Sequence, residues 1–543
     1  MAIRRFIASE DTTITNAFLE DLTTRATGAN IGLADSLEVF SVYGQVSGTA
    51  ASLYPGATAS SGYSPELSRI LIKFPVTTDD DSETSIQAKR NSGLIPPSGN
   101  VSFYLRVFNV AHHESLPVAA KLNILAVSSS WEEGYGVDLD TYTDKTYDRI
   151  GANWINRASG SVWGRPGGHY HTASADSAIQ HSFTLTNGDE DVEVDISELV
   201  EQWIAGTKSN YGLGIHMTSS FEAYFSSSIG THLPAASGGI LHNVKGAKRS
   251  YYTKKFSARG SEYFFKRPCI EARWDSAEKD DRGNFYYSSS LATSQENLNT
   301  IYLYNYFRGR LRNIPGTTNP GAIFVKIYSG STTSPSGQPI ALVADGVHVK
   351  SSYPTTRPTV VSGGLVSTGI YTASFALTAA ATPLTTLYDV WYSGSNIYHT
   401  GTIKPKIISA SPIAPDSRYV SKITNLRKAY RKSEGDARFR LYTRSKNWNP
   451  TIYTKATTQV QVDIIESGSY EVYRVIDDLK VIPHGTGSTL HTQMSFDVSG
   501  SYFDLDMNLF ESGYMYGLRL AYYNESVGSW VGQPETFKFR VED

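Results

Sequence analysis

The stretch from Val192 to Met217, VEVDISELVEQWIAGTKSNYGLGIHM, constrains the fold most, because it combines a strand, a helix and a second strand in one short segment. Apolar and acidic residues alternate from Val192, which predicts a half-buried strand. The spacing of large apolar side chains then changes to that of one helical face. These side chains are Ile196, Leu199, Val200, Trp203 and Ile204. We therefore predict one short helix among β-strands, with Trp203 in the core.

Residues suited to capping mark both ends of this helix. Asp195 can accept hydrogen bonds from the free amides of the first turn, and Glu198, three residues later, completes a capping-box pattern. Gly206 suits the left-handed conformation that ends many helices. Residues 210–212, Asn-Tyr-Gly, then predict a turn into a strand over residues 213–217, where apolar residues alternate again.

Composition extends the β assignment to the whole chain. The 543 residues include 35 Tyr and 45 Gly and carry a formal net charge of −3. Aromatic-rich strands and Gly-rich turns are typical of soluble all-β proteins, and the length suffices for about three or four domains. The negative charge gives no general attraction to nucleic acid, so we do not expect nucleic acid as a partner. The single cysteine, Cys269, excludes intrachain disulfides.

The N-terminal sequence, MAIRRFIASED, contains no apolar run of signal-peptide length. No stretch approaches the roughly 18 apolar residues of a membrane-spanning helix. We therefore expect synthesis in a cytoplasm without a secretion signal, and no membrane span. Residues 1–34 are too few for a core of their own, and we predict an arm with one short helix.

Short apolar runs separated by Gly, Pro, Ser and Asp clusters divide the rest of the chain into three β-domains. Residues 35–275 predict a β-sandwich, residues 285–405 an immunoglobulin-like sandwich, and residues 416–543 a third sandwich. Residues 275–284 and 404–415 are predicted to be linkers. Long polar loops in the first domain are expected to bind a ligand or another subunit. These loops span residues 44–66, 77–98, 133–180 and 218–248.

Several strings within residues 35–275 resemble the DNRLRE family of β-sandwich domains. They are ILIKFPV, a strand ending in RVFN, SSSWEEG, Trp154, VDISELVEQWIAG, NYGLGIHM and FFKRPCIEARW. The helix and the turn after it are the more specific part, whereas the stretch before the last strand, KKFSARGSEYFF, is longer than usual. That family is related to carbohydrate-binding modules. The resemblance therefore implies a β-sandwich and makes a sugar a candidate ligand.

The overall layout resembles the virion structural proteins of marine tailed phages. The similarity lies in the opening IRRFIASEDTTITNAF and the later NLNTIYLYNYFRG. It implies a place in the phage particle and not an activity. A β-rich, cysteine-poor chain without an export signal agrees with a virion protein that is released by lysis.

Candidate catalytic and metal-binding residues are few. Residues 131–133, Trp-Glu-Glu, place two carboxylates beside an indole, and paired carboxylates split glycosidic bonds. Neighbours on a strand point to opposite faces, however, so we favour a structural or sugar-contacting role. Asp138, Asp140 and Asp144 alternate as calcium ligands can, but Tyr142 interrupts the pattern, and we favour a solvated loop.

Two histidines, His169 and His171, would share one face of an extended segment, and His181 is near in sequence. Two imidazoles can begin a metal site. Because no third ligand can be assigned, we favour histidines at the surface or between subunits. We predict no cofactor and no bound metal.

The one concentration of basic residues precedes the last strand of the first domain, where aromatic residues are interleaved. This pattern can hold single-stranded nucleic acid. Given the negative net charge, we favour contact with an acidic surface of a partner protein. The candidate contacts are Lys245, Lys248, Arg249, Lys254, Lys255 and Arg259.

These features favour a non-enzymatic structural protein of a tailed-phage virion, in the tail, neck or baseplate, assembled as a homo-oligomer with other virion proteins. The alternative is a receptor- or carbohydrate-binding adhesin on the virion, whose first sandwich stacks host surface glycans on aromatic rings. The candidate glycan contacts are Trp154, Trp163 and Tyr170. A glycosidase or lyase acting through Glu132 or Glu133 is a third hypothesis.

Overall fold

A computed structural model of the chain contains 45% strand and 7% helix, which confirms the all-β, multidomain prediction. Two units, residues 2–275 and residues 276–543, divide the chain. The structure describes residues 2–19, 25–45, 63–113, 115–137, 151–172, 179–227, 229–289, 292–317, 322–330, 335, 337–343, 358–378, 384–406, 418–449, 451–453 and 462–543. None of the helices in these ranges has the length and apolar character of a membrane span.

The first unit is built from short strands and two α-helices. The strands are β1 Ile3–Ile7, β2 Glu10–Thr15, β3 Ser36–Gln45, β4 Tyr63–Lys73, β5 Ser102–Val107, β6 Ala120–Ala126, β7 Asn156–Ala158, β8 Ser161–Val162, β9 Gln180–Leu185, β10 Val192–Asp195, β11 Leu213–Met217, β12 Tyr251–Ser257 and β13 Cys269–Arg273. The helices are α1 Ile86–Asn91 and α2 Ser197–Ile204.

Two antiparallel sheets of this unit face each other. One has the order β1-β13-β5-β10, and the other has the order β12-β3-β4-β11-β6-β9, with β2 also paired to β4. Ile70 and Ile72 of β4 belong to one buried cluster with Leu105 of β5 and Ile270 of β13. Because the cluster takes side chains from both sheets, the unit is a β-sandwich.

The arm predicted for residues 1–34 is instead part of this sandwich. β1 pairs with β13, where Ile3 is opposite Arg273, and β2 pairs with β4. Phe18 and Arg25 form an isolated antiparallel bridge. The short helix expected in the arm falls partly on residues 20–24, outside the described residues.

The predicted helix is present as α2, and it buries the expected face. Its core residues, with the residue before it, are Ile196, Leu199, Val200 and Trp203. Gly206 has a φ of 72°, which confirms the left-handed stop. The helix begins at Ser197, and the residue at its N-cap makes no side-chain cap. Asp195 accepts a hydrogen bond from the Ser197 N–H at 2.9 Å, but the predicted capping box is not formed.

Described parts of the long loops cover the outer face of the seven-stranded sheet. Leu71 of β4 points to this face, because it alternates with Ile70 and Ile72 of the sandwich core. It joins a second buried cluster with residues of the loops after β6 and β11; the loop members are Trp131, Ala152, Trp154, Trp163, Tyr170, Ala223 and Leu241. These loops therefore bury apolar surface against their own sheet. The loop predicted over residues 77–98 contains α1, which Ser85 caps.

The described residues of the second unit form three larger sheets and two strand pairs. Its strands are β14 Phe285–Tyr286, β15 Asn299–Tyr304, β16 Tyr306–Phe307, β17 Arg310–Leu311, β18 Ile323–Ser329, β19 Val361–Ser367, β20 Ile370–Phe375, β21 Leu387–Ser393, β22 Asn396–Ile403, β23 Pro405–Lys406, β24 Tyr419–Ile423, β25 Ala429–Arg431, β26 Asp436–Ser445, β27 Gly468–Arg474, β28 Leu479–Ile482, β29 Ser495–Asp497, β30 Gly500–Asp506, β31 Met515–Asn524 and β32 Ser529–Glu542. The larger sheets have the orders β15-β20-β19-β18-β21-β22, β24-β26-β30-β29 and β25-β32-β31-β27-β28.

The segment predicted as a linker over residues 275–284 is built into the second unit. The Asp280 N–H donates to the Phe496 carbonyl of β29 at 3.1 Å. Arg282 is buried and pairs with Asp280 and with Asp389 of β21, each at 2.7 Å. The segment thus ties the six-stranded sheet to the four-stranded sheet. Most of the second predicted linker, residues 407–415, lies outside the described residues.

Candidate functional site

The three aromatic residues predicted to contact a glycan are buried. Trp154, Trp163 and Tyr170 are 0%, 4% and 4% exposed. The indole N–H of Trp154 donates to the Gly239 carbonyl, and that of Trp163 to the Asn153 carbonyl, each at 2.8 Å. Stacking on a sugar requires an exposed ring face. These side chains are core residues, which corrects the prediction of a glycan contact.

The ring of Tyr170 lies directly against strand β11. A Cβ atom at Gly214 would come within 2.0 Å of this ring, so only glycine allows the contact. The Tyr170 hydroxyl donates to the Gly167 carbonyl at 3.1 Å. The alternation of apolar residues in β11 could be read from the sequence. The contact of Gly214 with Tyr170 could not, because the two residues are distant in the chain.

A buried ion pair accompanies these aromatic side chains. The Arg69 Nε and Nη2 atoms each donate to Glu222 at 2.9 Å. The guanidinium carbon lies 5.5 Å from the Trp154 ring centroid. His216 Nδ1 is 3.6 Å from a Glu222 oxygen, and burial, together with the charge of Arg69, holds the pKa of His216 well below its usual value. The bidentate pair ties β4 to the loop after β11.

Glu132 and Glu133 have different environments. Glu132 is exposed. Arg259 Nε and the Asp11 N–H both donate to Glu133 Oε1, at 2.6 and 2.8 Å. Asp11 also accepts a hydrogen bond from the Arg259 N–H at 2.6 Å, and burial raises the pKa of Asp11 to about 7. Glu133 therefore joins β2 to the segment after β12.

Lys254, predicted to contact a partner, is fully buried. Its Nζ donates to Asn109 Oδ1 at 2.6 Å and to the carbonyl oxygens of Gly188 and Glu190 at 2.9 Å each. Burial lowers its pKa to about 8. Because all three ammonium protons have acceptors inside the sandwich, Lys254 is a structural residue, and the prediction of a partner contact is corrected.

The other five residues of the predicted basic patch divide into two groups. Lys255 lies 3.3 Å from Glu38, and Arg259 pairs with Glu133, so both are engaged within the unit. The exposed members are Lys245, Lys248 and Arg249. The patch available to a partner is therefore half the predicted size.

The histidines that we expected at the surface or between subunits are within the described residues. His169 is exposed, with Nδ1 3.4 Å from Ser129 Oγ. No three His, Cys, Asp or Glu side chains group as metal ligands within the described ranges. Asp138, Asp140 and Asp144, for which we favoured a solvated loop over a calcium site, lie outside the described residues.

A short hairpin in the second unit exposes two aromatic rings and three guanidinium groups. We call residues 306–312, YFRGRLR, the arginine hairpin. Tyr306 and Phe307 on β16 are 58% and 54% exposed. The turn to β17 has positive φ at Arg308 (52°) and Gly309 (76°), which suits a tight two-residue turn. The exposed arginines are Arg308, Arg310 and Arg312.

The charge of the arginine hairpin is not neutralised within the part of the chain that the structure describes. None of its three arginines has a carboxylate partner among those residues. The guanidinium carbons of Arg308 and Arg312 instead lie 5.3 and 5.8 Å from the Phe307 ring centroid. The sequence signal for this hairpin is three arginines within five residues without an acid.

A pocket of about 300 Å³ opens at the edge of the C-terminal sheets. We call it the tyrosine pocket. Its lining includes Tyr419, Tyr522, Tyr523, Glu466 and Glu525, and no lysine or arginine is among the described residues that line it. Tyr419 and Tyr522 meet edge to face, with ring centroids 5.7 Å apart. Because Tyr522 is 3% exposed, the pocket offers the rings of Tyr419 and Tyr523, together with carboxylates, to a cationic group.

Burial and the negative charge of this pocket raise the pKa of a neighbouring tyrosine. The pKa of Tyr286 is raised to about 12, first by burial and then by the charges of Glu466 and Glu525. Glu466 also accepts a hydrogen bond from the Asn284 side chain, whereas Glu525 is exposed. Glu525 is thus the carboxylate available to an incoming cation.

Comparisons with known proteins name no family for this chain. No protein-family model matches it, and no curated protein matches it. The crystal structure of a DUF4785 family protein from Legionella pneumophila subsp. pneumophila str. Philadelphia 1 is similar at 9% identity, over 81% of this chain and 82% of that one, with a TM-score of 0.12. A TM-score that low carries no argument. The resemblances to DNRLRE domains and to phage virion proteins stay predictions.

Proposed function

We propose that the chain is a non-enzymatic structural component of a tailed-phage virion, in the tail, neck or baseplate, where several copies assemble with other virion proteins. One observation supports this most. The arginine hairpin presents aromatic and arginine side chains on a preformed turn, and these residue types are enriched at protein interfaces. A rigid exposed turn loses little conformational entropy on binding.

Charged residues of the first unit support the same proposal. Glu133, considered for catalysis, is engaged with Arg259. Lys254, considered as a partner contact, and Arg69 are buried with hydrogen-bond partners. Each of these contacts joins segments that are distant in sequence. They therefore serve the stability of the sandwiches. The assignment to a phage particle itself comes from the sequence resemblance.

Mass spectrometry of purified particles tests the proposal. Particles of the phage that encodes this chain, washed at high salt, should contain the full-length chain in several copies per particle. A wash at high salt removes proteins that adhere through exposed charges alone. Particles that are infectious and lack the chain would overturn the proposal.

A further inference from the structure

The second unit carries two exposed surfaces of opposite charge. The arginine hairpin has three guanidinium groups and two aromatic rings, without an acid among residues 305–316. The tyrosine pocket has three tyrosines and two glutamates, without a cation among its described lining residues. No hairpin residue is among the described residues that line the pocket, so the two surfaces are separate. The described residues of the chain leave the hairpin exposed and the pocket open.

We propose that the arginine hairpin of one copy of this chain docks in the tyrosine pocket of a second copy. Guanidinium groups pair with carboxylates through two parallel hydrogen bonds and also stack on aromatic rings. Glu525 and the rings of Tyr419 and Tyr523 supply both kinds of partner. The inference rests on the proposed assembly role and names the surfaces that join the copies.

The size of the pocket fits one arginine and not the whole hairpin. A volume of about 300 Å³ accommodates one long side chain. The two arginines nearest the turn, Arg308 and Arg310, are the ones presented at the hairpin tip. Tyr306 and Phe307 then remain outside the pocket, where they can cover the exposed ring of Tyr523 at its rim.

The hairpin and the pocket are different surfaces, so the contact is heterologous. Each copy uses its hairpin on one neighbour and its pocket on another. Such head-to-tail contacts close into a ring or continue as a filament, and they do not stop at a dimer. A ring or a filament is the form that repeated components of a phage tail or baseplate would require.

Charge reversal on each surface tests the contact in the full-length chain. Arg310→Glu places an acid on the hairpin opposite the acidic pocket. Glu525→Arg places a cation in the pocket opposite the basic hairpin. Each variant alone should weaken self-association at least about tenfold, as measured by sedimentation velocity over a range of concentrations. Lys121→Glu, an exposed reversal in the first unit, is the matched control and should associate like the wild type.

An equimolar mixture of the two variants provides the decisive result. The acidic hairpin of Arg310→Glu matches the basic pocket of Glu525→Arg, and the basic hairpin of Glu525→Arg matches the unchanged pocket of Arg310→Glu. The mixture should therefore recover the association that each variant lacks alone. Both substitutions are at exposed positions, so circular dichroism and melting temperatures should stay those of the wild type.

Three results would each overturn the inference. The first is a wild-type chain that remains monomeric at its highest soluble concentration. The second is a single variant that associates as the wild type does. The third is a mixture of the two variants that does not recover association. The outcome is separable from the proposed function. If the chain is present in particles but its variants associate normally, only this contact is contradicted. If the chain is absent from particles but associates through these surfaces, only the virion role is contradicted.

Discussion

At the scale of single residues, buried charges are the most sensitive points of the structure. Lys254 and Lys255 are adjacent on β12, yet only the first is buried. Removing a buried charged donor leaves its acceptors without a partner, which costs more than losing a surface ion pair. The sequence shows two equivalent lysines. Their difference arises from the pleat of the strand and from the loop that supplies Gly188 and Glu190.

Lys254→Ala should lower the free energy of unfolding of the first unit by about 2–4 kcal/mol, because Asn109 and two carbonyl oxygens lose their donor. Lys255→Ala, the matched control, should cost less than about 1 kcal/mol. Urea denaturation followed by tryptophan fluorescence measures both. Equal costs would show that Lys254 is not buried as described.

The acid sensitivity of the first unit should depend on Glu271. This fully buried carboxylate accepts hydrogen bonds from Arg5 at 2.8 Å and from Arg273 at 3.0 Å. Burial alone would raise its pKa, but the charges of Arg5, Arg106 and Arg273 outweigh burial and lower it to about 2. A carboxylate with a depressed pKa contributes stability above its unfolded pKa, and this contribution is lost as the pH falls.

The melting temperature of the first unit should therefore fall between about pH 4.5 and pH 2. Glu271→Gln should be less stable than the wild type at pH 7, because three arginines lose one carboxylate partner, although Arg106 and Arg273 keep Glu193. The difference between the two proteins should shrink as the pH is lowered through this range. A difference that stays constant between pH 7 and pH 3 would contradict the assignment.

At the scale of elements, local periodicity was enough for most strands and for α2. The strings around β5, β13 and β21 alternate over their own length, so their sequence contains the signal. β1 and β2 were missed, because what makes them strands is pairing with β13 and β4, which are distant in the chain. The burial of Trp154 could not be predicted from the local sequence either, because it depends on loops that fold back over a sheet.

Helix α2 allows tests of two features: the predicted burial of Trp203, which is observed, and the predicted capping box at Glu198, which is not formed. Trp203→Ala should destabilise the first unit by about 3–5 kcal/mol, because it leaves a cavity between the two sheets. Glu198→Ala on the exposed side should change stability by less than about 0.5 kcal/mol, since the capping box is not formed. Chemical denaturation gives both values. A loss above about 1 kcal/mol for Glu198→Ala would show that the box exists.

The segment over residues 275–284 should make the second unit less stable as the pH rises from about 4 to about 7. Burial raises the pKa of Asp281 to about 7, despite a hydrogen bond from the Thr300 N–H. A carboxyl group with a raised pKa favours the folded state when it is protonated, so its contribution is lost as the pH rises through about 7.

Asp281→Asn should therefore stabilise the second unit at pH 8 by on the order of 1 kcal/mol and have little effect at pH 4. Asparagine keeps an oxygen that can accept the Thr300 N–H. Asp436→Asn, at an exposed position, serves as the control and should be neutral at both pH values. Thermal melts at pH 4 and pH 8 measure both effects. An equal effect of Asp281→Asn at the two pH values would contradict the raised pKa of Asp281.

At the scale of the whole molecule, the chain uses its charges in two ways. Inside the sandwiches they form ion pairs that join distant segments, such as Arg69 with Glu222 and Arg282 with Asp389. On the second unit they remain exposed as the arginine hairpin and the tyrosine pocket. Sequence composition predicted the all-β class, but it could not separate these two uses, because both draw on the same residue types.

Electron cryomicroscopy of the purified phage particle would show whether the chain is a virion component. We expect repeated density for this chain in the tail, neck or baseplate, with the arginine hairpin of one copy bound in the tyrosine pocket of the next. A complete map of an infectious particle in which no density fits these β-sandwiches would contradict it.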